Sequence, residues 1–261
     1  MRKIKSNRTV IKIGTNTITD SNGLLDLNFM QGITAQIAEI KHRKKEVMLI
    51  TSGAIGAGMK ELGLKEKPKD VVMKQVCAGV GQNILMSNYY SFFARHGIKI
   101  AQILLTYGDF RNKKTFANLK NSINKMLELG AVPILNENDP ISIDEIGPSF
   151  GDNDNLSALI AAKLKADLLI ILTNVDGLYN KNPEDREAVM LKEVKNVTKE
   201  IERMGGKPSK LGIGGMQSKI KAAKIATRNG AAVVIANGKL QDILLKVING
   251  DEVGTIFYPK S

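Results

Sequence analysis

Short apolar runs alternate along this chain with longer stretches in which apolar residues recur every three or four positions. The short runs predict strands and the long ones amphipathic helices. Val10-Ile11-Lys12-Ile13 reads as a strand closed by Gly14. Residues 27–45 read as a helix, with Ile33, Ile37 and Ile40 on one face and a charged end, Lys41-His42-Arg43-Lys44-Lys45. Val47-Met48-Leu49-Ile50 is a buried strand that runs into Ser52-Gly53. Helical stretches reach Gly97, followed by a strand over 98–106, a helix to Gly130 and a strand over 132–135. Another helix starts near Asn155, and 168–172 is the most apolar strand. A helix from Met216 then precedes a strand over 233–235. Near-continuous apolar strands separated by helices predict an α/β fold whose sheet is mainly parallel and covered on both faces. Residues 179–187, with Pro183, read as a surface loop, and Pro208 marks another.

In such folds ligands gather at the carboxyl ends of the strands. The turns there are Gly14-Thr15-Asn16, Ser52-Gly53-Ala54-Ile55-Gly56-Ala57-Gly58, Asn136-Glu137-Asn138-Asp139 and Thr173-Asn174-Val175-Asp176-Gly177. Glycine-rich backbone can approach phosphate oxygens and aim N–H groups at them; the same glycines also suit tight turns alone. Neither GxxxxGK[ST] nor GxGxxG occurs. Lys219 follows Gly212-Ile213-Gly214-Gly215-Met216-Gln217-Ser218 by one helical turn. At about 100° per residue it lies beside the apolar stripe, about 170° from the basic cluster Lys221, Lys224 and Arg228. It either snorkels from a core edge or faces an anion. Lys12 interrupts a strand expected to be covered on both faces, which is costly unless the lysine is paired with an anion; an edge strand with one wet side is the other reading. Gly151-Asp152-Asn153-Asp154-Asn155-Leu156-Ser157 precedes a helix. Capping accounts for some of its Asp and Asn residues but not for four in a row. Asp139, before Pro140, also fits a plain turn.

Charge and composition narrow the chemistry. The chain has 261 residues, 43% hydrophobic and 25% charged, enough for a core that needs no staples. Its 38 Lys and Arg against 26 Asp and Glu leave a net charge of +12, which suits anionic partners. Cys77 is the only cysteine and His42 and His96 the only histidines, so disulfides, thiolate zinc and histidine metal sites are not expected. No run approaches the roughly 20 apolar residues of a membrane span, no signal-peptide core follows the basic N-terminus, and a reducing cytoplasm is expected. Aromatic residues are 5%, without Trp and without interleaving along a basic stripe, which is poor material for stacking nucleic-acid bases. Two lysines, an Asp/Asn cluster and glycine turns are parts for phosphoryl transfer, which needs charge stabilisation and in-line positioning. An ionised carboxylate acceptor would need no histidine base.

The strings Ile11-Lys12-Ile13-Gly14-Thr15, Thr51-Ser52-Gly53-Ala54-Ile55, Asn136-Glu137-Asn138-Asp139, Gly151 to Ala158, Gly177-Leu178-Tyr179 and Gly214-Gly215-Met216 with Lys219 resemble the amino acid kinase family, in family order. The resemblance implies a three-layer αβα sandwich over 5–258, with an acid-substrate lobe at about 5–160 and a nucleotide lobe at about 161–258. It implies ATP-dependent phosphorylation of the γ-carboxylate of L-glutamate, the first step toward proline. ATP would come with Mg2+, and no protein metal cage is implied. By resemblance Lys12 and Lys219 contact the phosphates, and Asp154 holds both lysines. Ser52, Asp139 and Asn153 match glutamate-binding positions. Thr173, Asn174, Ile213, Gly214, Gly215, Met216, Gln217, Ser218 and Lys219 match nucleotide-binding segments, and Asp152 is a further candidate for metal or substrate. Asn174 stands where Asp is usual and Ile213 where Thr is usual. The C-terminal PUA domain that many such enzymes carry is not expected here. A homo-oligomer, dimer or tetramer, is the family expectation; membrane and nucleic acid are not expected partners. Another acid or phosphate kinase of the same fold, or a binding protein that lost catalysis, are the competing readings. Cys77 is expected to be a buried small hydrophobe. Tyr89-Tyr90 with Phe92-Phe93 is expected to pack a helix or a subunit contact, and the surplus lysines to lie on wet helical faces.

Overall fold

A computed structural model describes residues 1–141, 153–206 and 215–260. The chain divides into two compact units, Met1–Ile13 with Ser149–Ser261, and Gly14–Pro148. The first strand, β1 (Arg8–Ile13), belongs to the first unit, and its last five residues are buried.

The Gly14–Pro148 unit contains α1 (Thr15–Ile18), α2 (Leu27–His42), β2 (Glu46–Ile50), α3 (Ala54–Glu61), α4 (Val71–Ala94), β3 (Ile100–Leu105), α5 (Tyr107–Arg111), α6 (Lys113–Glu128) and β4 (Val132–Glu137). Helix starts follow local chemistry. Asp26, Asp70 and Asn112 accept hydrogen bonds from the first free N–H groups of α2, α4 and α6. The helix expected over 27–45 ends three residues early, where Lys44 takes a positive φ of 59°. β4 pairs in parallel with β3 on one side and β2 on the other. Helix α4 carries one charge, Lys74, in 24 residues and packs against α3 and α2. Its contact with α3 is glycine-dependent. A Cβ on Gly58 would stand 1.8 Å from the Cys77 carbonyl oxygen, and one on Gly81 1.8 Å from that of Ala54.

The other unit continues with α7 (Asn153–Lys163), β5 (Leu168–Thr173), β6 (Leu178–Tyr179), β7 (Met190–Leu191), β8 (Glu193–Val194), α8 (Lys199–Met204), α9 (Met216–Arg228), β9 (Ala232–Asn237), α10 (Ile243–Asn249) and β10 (Thr255–Phe257). β5 lies between β1 and β9, parallel to both, and all six of its residues are buried. This strand is the most apolar in the sequence because it is covered on every side. β10 departs from the parallel rule, running antiparallel to β9 and parallel to β8, and β6 and β7 pair antiparallel as a two-stranded sheet. Helices α7 and α9 pack on each other, α7 on β1 and β5, and α9 on β9. Arg2 is buried and ties the N-terminus to this unit through the carbonyls of Val253, Lys192 and Gly254. Among the described residues no helix is long and apolar enough to cross a membrane.

Candidate active site

Lys12 sits on β1 opposite Ile171 of β5. Its Nζ lies 2.5 Å from Oδ1 of Asp154, the second residue of α7. Lys219, in the first turns of α9, donates from Nζ to Asp154 Oδ2 at 2.9 Å. The Ser218 hydroxyl donates to that same oxygen at 2.7 Å. One carboxylate therefore holds two ammonium groups, one on each oxygen. Lys12 is 4% exposed, Lys219 6% and Asp154 0%. An edge strand with a wet side does not describe Lys12, and snorkelling does not describe Lys219, because both heads are buried and paired.

Burial by itself pushes the Asp154 carboxyl pKa up. The charges of Lys12 and Lys219, and their hydrogen bonds, override this and hold it well below the usual carboxylate range. The result is an ionised aspartate buried between two ammonium groups. Such an arrangement is preorganised for negative charge that develops nearby. Helix α9 adds to it, since Gly215 at its start provides no side-chain cap and leaves the first N–H groups to other acceptors.

The same unit presents the ends of β5 and β9 side by side, with Thr173 opposite Asn237. Thr173 is buried and Asn174 exposed. The Thr173 carbonyl accepts from Gly238 N–H at 2.8 Å, and Asn237 Nδ2 donates to Asp176 Oδ1 at 2.8 Å. Sequence reading had no signal for that Asn237–Asp176 pair, since its two residues lie 61 positions apart. Asn153 opens α7, and Gly215, Met216 and Gln217 lead into Ser218, all half-buried. Asp152, Ile213 and Gly214 lie outside the described residues.

In the Gly14–Pro148 unit, Ser52 follows β2 and Asp139 opens a short 3-10 turn, Asp139–Ile141, after β4. Because β2 and β4 are neighbours, both residues stand at the carboxyl edge of adjacent parallel strands. Gly53, next to Ser52, has φ 99°, a backbone state that a side chain would strain. Thr51 Oγ1 and Tyr89 Oη are 2.8 Å apart. Burial raises the Tyr89 hydroxyl pKa and the Thr51 bond opposes this. A cavity of about 220 Å³ in this unit has Gln82, Gln102, Glu137 and Asp139 in its wall; Ser52, expected to share a site with Asp139, is not among its described lining residues. Gln82 and Glu137 were not among the residues expected to bind substrate.

The model of the amino acid kinase family matches residues 7–237. The chain belongs to the amino acid kinase family. Among curated relatives, the glutamate 5-kinase of Methanosarcina barkeri (strain Fusaro / DSM 804) is 48% identical over 260 residues, covering 96% of this chain and 68% of that one. The glutamate 5-kinase of Clostridium acetobutylicum is 46% identical over 257 residues, covering 98% of this chain and 96% of that one. Among solved structures, carbamate kinase from Giardia lamblia bound to AMP-PNP superposes with TM-score 0.70 at 17% identity, over 98% of this chain and 99% of that one. UMP kinase from Bacillus anthracis gives 0.66 at 15%, over 98% and 97%. The fold is the amino acid kinase fold, a mainly parallel sheet flanked by helices, as the resemblance implied.

Proposed function

We propose that this amino acid kinase transfers the γ-phosphoryl group of ATP to the γ-carboxylate of L-glutamate, giving L-glutamyl 5-phosphate and ADP, the first step of proline biosynthesis. The observation that carries the chemistry is the buried Lys12–Asp154–Lys219 cluster; the glutamate 5-kinase relatives support the choice of acceptor. A γ-carboxylate oxygen attacks the γ-phosphorus in line as the bond to the β,γ-bridging oxygen breaks. No proton has to leave the acceptor, whose ordinary pKa is about 4.3, so the scarcity of histidine is no obstacle. Lys12 and Lys219 neutralise the oxygens of the transferring group, and Asp154 fixes where their heads stand. Ser52, Asp139 and Asn153 bind glutamate. Thr173, Asn174 and residues 213–219 bind the nucleotide.

Mg2+ accompanies ATP and supplies further neutralising charge to its phosphates. Among the described residues no three His, Cys, Asp or Glu side chains converge as a metal cage. We place the protein in the cytoplasm, in keeping with its single cysteine. We also read it as a dimer or tetramer, because α4 leaves Val72, Val76 and Tyr90 exposed on a helix with one charge. The test of function is ADP release from Mg-ATP across a panel of acids, with hydroxylamine to trap an acyl phosphate. Turnover with glutamate is expected. Turnover only with acetylglutamate, aspartate, carbamate or a nucleoside monophosphate, or with no acceptor at all, would overturn the assignment.

A further inference from the structure

A hydrogen-bond chain of fixed polarity runs from Asn136 to the wall of the cavity in the Gly14–Pro148 unit. Asn136 Oδ1 accepts from the backbone N–H of Glu137 at 2.9 Å. Its Nδ2 must then face the other way, and it donates to Gln82 Oε1 at 2.9 Å. With Oε1 committed as acceptor, the Gln82 amide can present only its NH2 group elsewhere. That nitrogen is buried and has no hydrogen-bond partner among the described residues. Gln82 is 8% exposed and stands in the cavity wall with Glu137 and Asp139. A buried donor without an acceptor is a costly arrangement that natural proteins keep for a reason.

We infer that Gln82 is a specificity-determining residue of the acid site, whose Nε2 donates to the α-carboxylate of the amino acid substrate. The inference rests on the function proposed above and deepens it. Glu137 and Asp139 put two carboxyl groups on the same wall. They suit the α-ammonium of a zwitterion and repel a simple dicarboxylate. Among the described residues no Lys or Arg lines this cavity, which leaves the neutral Gln82 amide as the donor for a carboxylate. A glutamine whose polarity is set by Asn136 cannot turn its oxygen toward that carboxylate without breaking the chain. The site thus recognises both α-substituents of the substrate while the γ-carboxylate stays available for phosphorylation.

The experiment compares wild type with Gln82→Met and Gln82→Glu on two acceptors. L-glutamate has the α-carboxylate; 4-aminobutyrate keeps the amine and the reacting carboxylate but lacks it. Each is assayed as a substrate or, below detectable turnover, as a competitive inhibitor against glutamate. In Gln82→Met the KM for glutamate should rise roughly ten- to a hundredfold, the loss expected for a hydrogen bond to a charged group. The constant for 4-aminobutyrate and the KM for ATP should stay within about twofold. Gln82→Glu can still accept from Asn136 but turns a second oxygen toward the substrate, and should lose more. Equal losses on both acceptors would show that Gln82 only supports Asn136, and unchanged glutamate KM would show no contact; either overturns the inference. A wild-type protein that turns over neither acceptor overturns the proposed function instead.

Discussion

Asp154 is buried between the ammonium groups of Lys12 and Lys219, so its removal and theirs should have different signatures. Asp154→Asn leaves two buried ammonium groups facing each other without their anion, and stability should fall by about 3–5 kcal/mol in urea unfolding. Lys12→Ala or Lys219→Ala leaves the aspartate with the other lysine and the Ser218 hydroxyl. There kcat should drop at least about tenfold while the protein still folds, as for a lost transition-state contact; near-normal turnover in both would remove the roles assigned to them. The pH dependence follows from the depressed Asp154 pKa. A carboxyl depressed on folding stabilises fully above its unfolded value, about 3.9, and loses that contribution as pH falls through the folded value. Urea unfolding from pH 7 down to 3 should show no loss from this group above about pH 5. Wild type should have a steep acid limb that Asp154→Asn lacks. The sequence made Lys12 and Lys219 visible because each broke an apolar pattern. Gln82 broke no pattern, because a glutamine in a long, nearly uncharged helix reads as an ordinary polar position until Asn136 fixes which end of its amide faces the cavity.

At the scale of elements, the contact of α3 with α4 sets where the turn after β2 begins. Ala at Gly58 or Gly81 would press a methyl group into backbone, which cannot swing aside as a side chain can. Each should cost about 3 kcal/mol or more, and activity should fall with stability because α3 starts directly after Ser52-Gly53. Gly32 in α2 is the control: nothing lies within 4 Å of its missing Cβ and its φ is not positive, so Gly32→Ala should gain up to about 1 kcal/mol. Thermal melts of the three variants separate the cases. The main strands were legible because buried parallel strands are written as apolar runs, and 168–172 became Leu168–Thr173. β10 was not legible: three residues carry no periodicity, and pattern says nothing of strand direction. Tyr89, Phe92 and Phe93 are buried as expected, whereas Tyr90 is 67% exposed. Lys224, expected on a wet face, is half-buried and pairs with Glu202 of α8, a partner 22 positions away that a single-helix projection cannot show.

For the whole molecule, the charge of +12 is consistent with anionic substrates without identifying them. Few of its lysines reach the site, so the remainder acts at a distance and through solvent. Raising salt from about 0.05 to 0.3 M should increase the KM for ATP severalfold with little change in kcat, because screening shortens the reach of exposed charge and leaves buried pairs nearly intact. A salt-independent KM would assign the surplus to solubility alone. The division into units has a bearing on how the protein is made. β1 carries Lys12 and leaves the ribosome before the Gly14–Pro148 unit, but the strand it pairs with and the aspartate it meets are encoded after that entire unit. That unit can fold while its neighbour is still one strand waiting for partners. The charged cluster then closes last, when α9 has been synthesised and brings Lys219 to the ion pair. A chain cut short before that helix would hold the described wall of the cavity and lack one of the two lysines proposed to carry phosphoryl transfer.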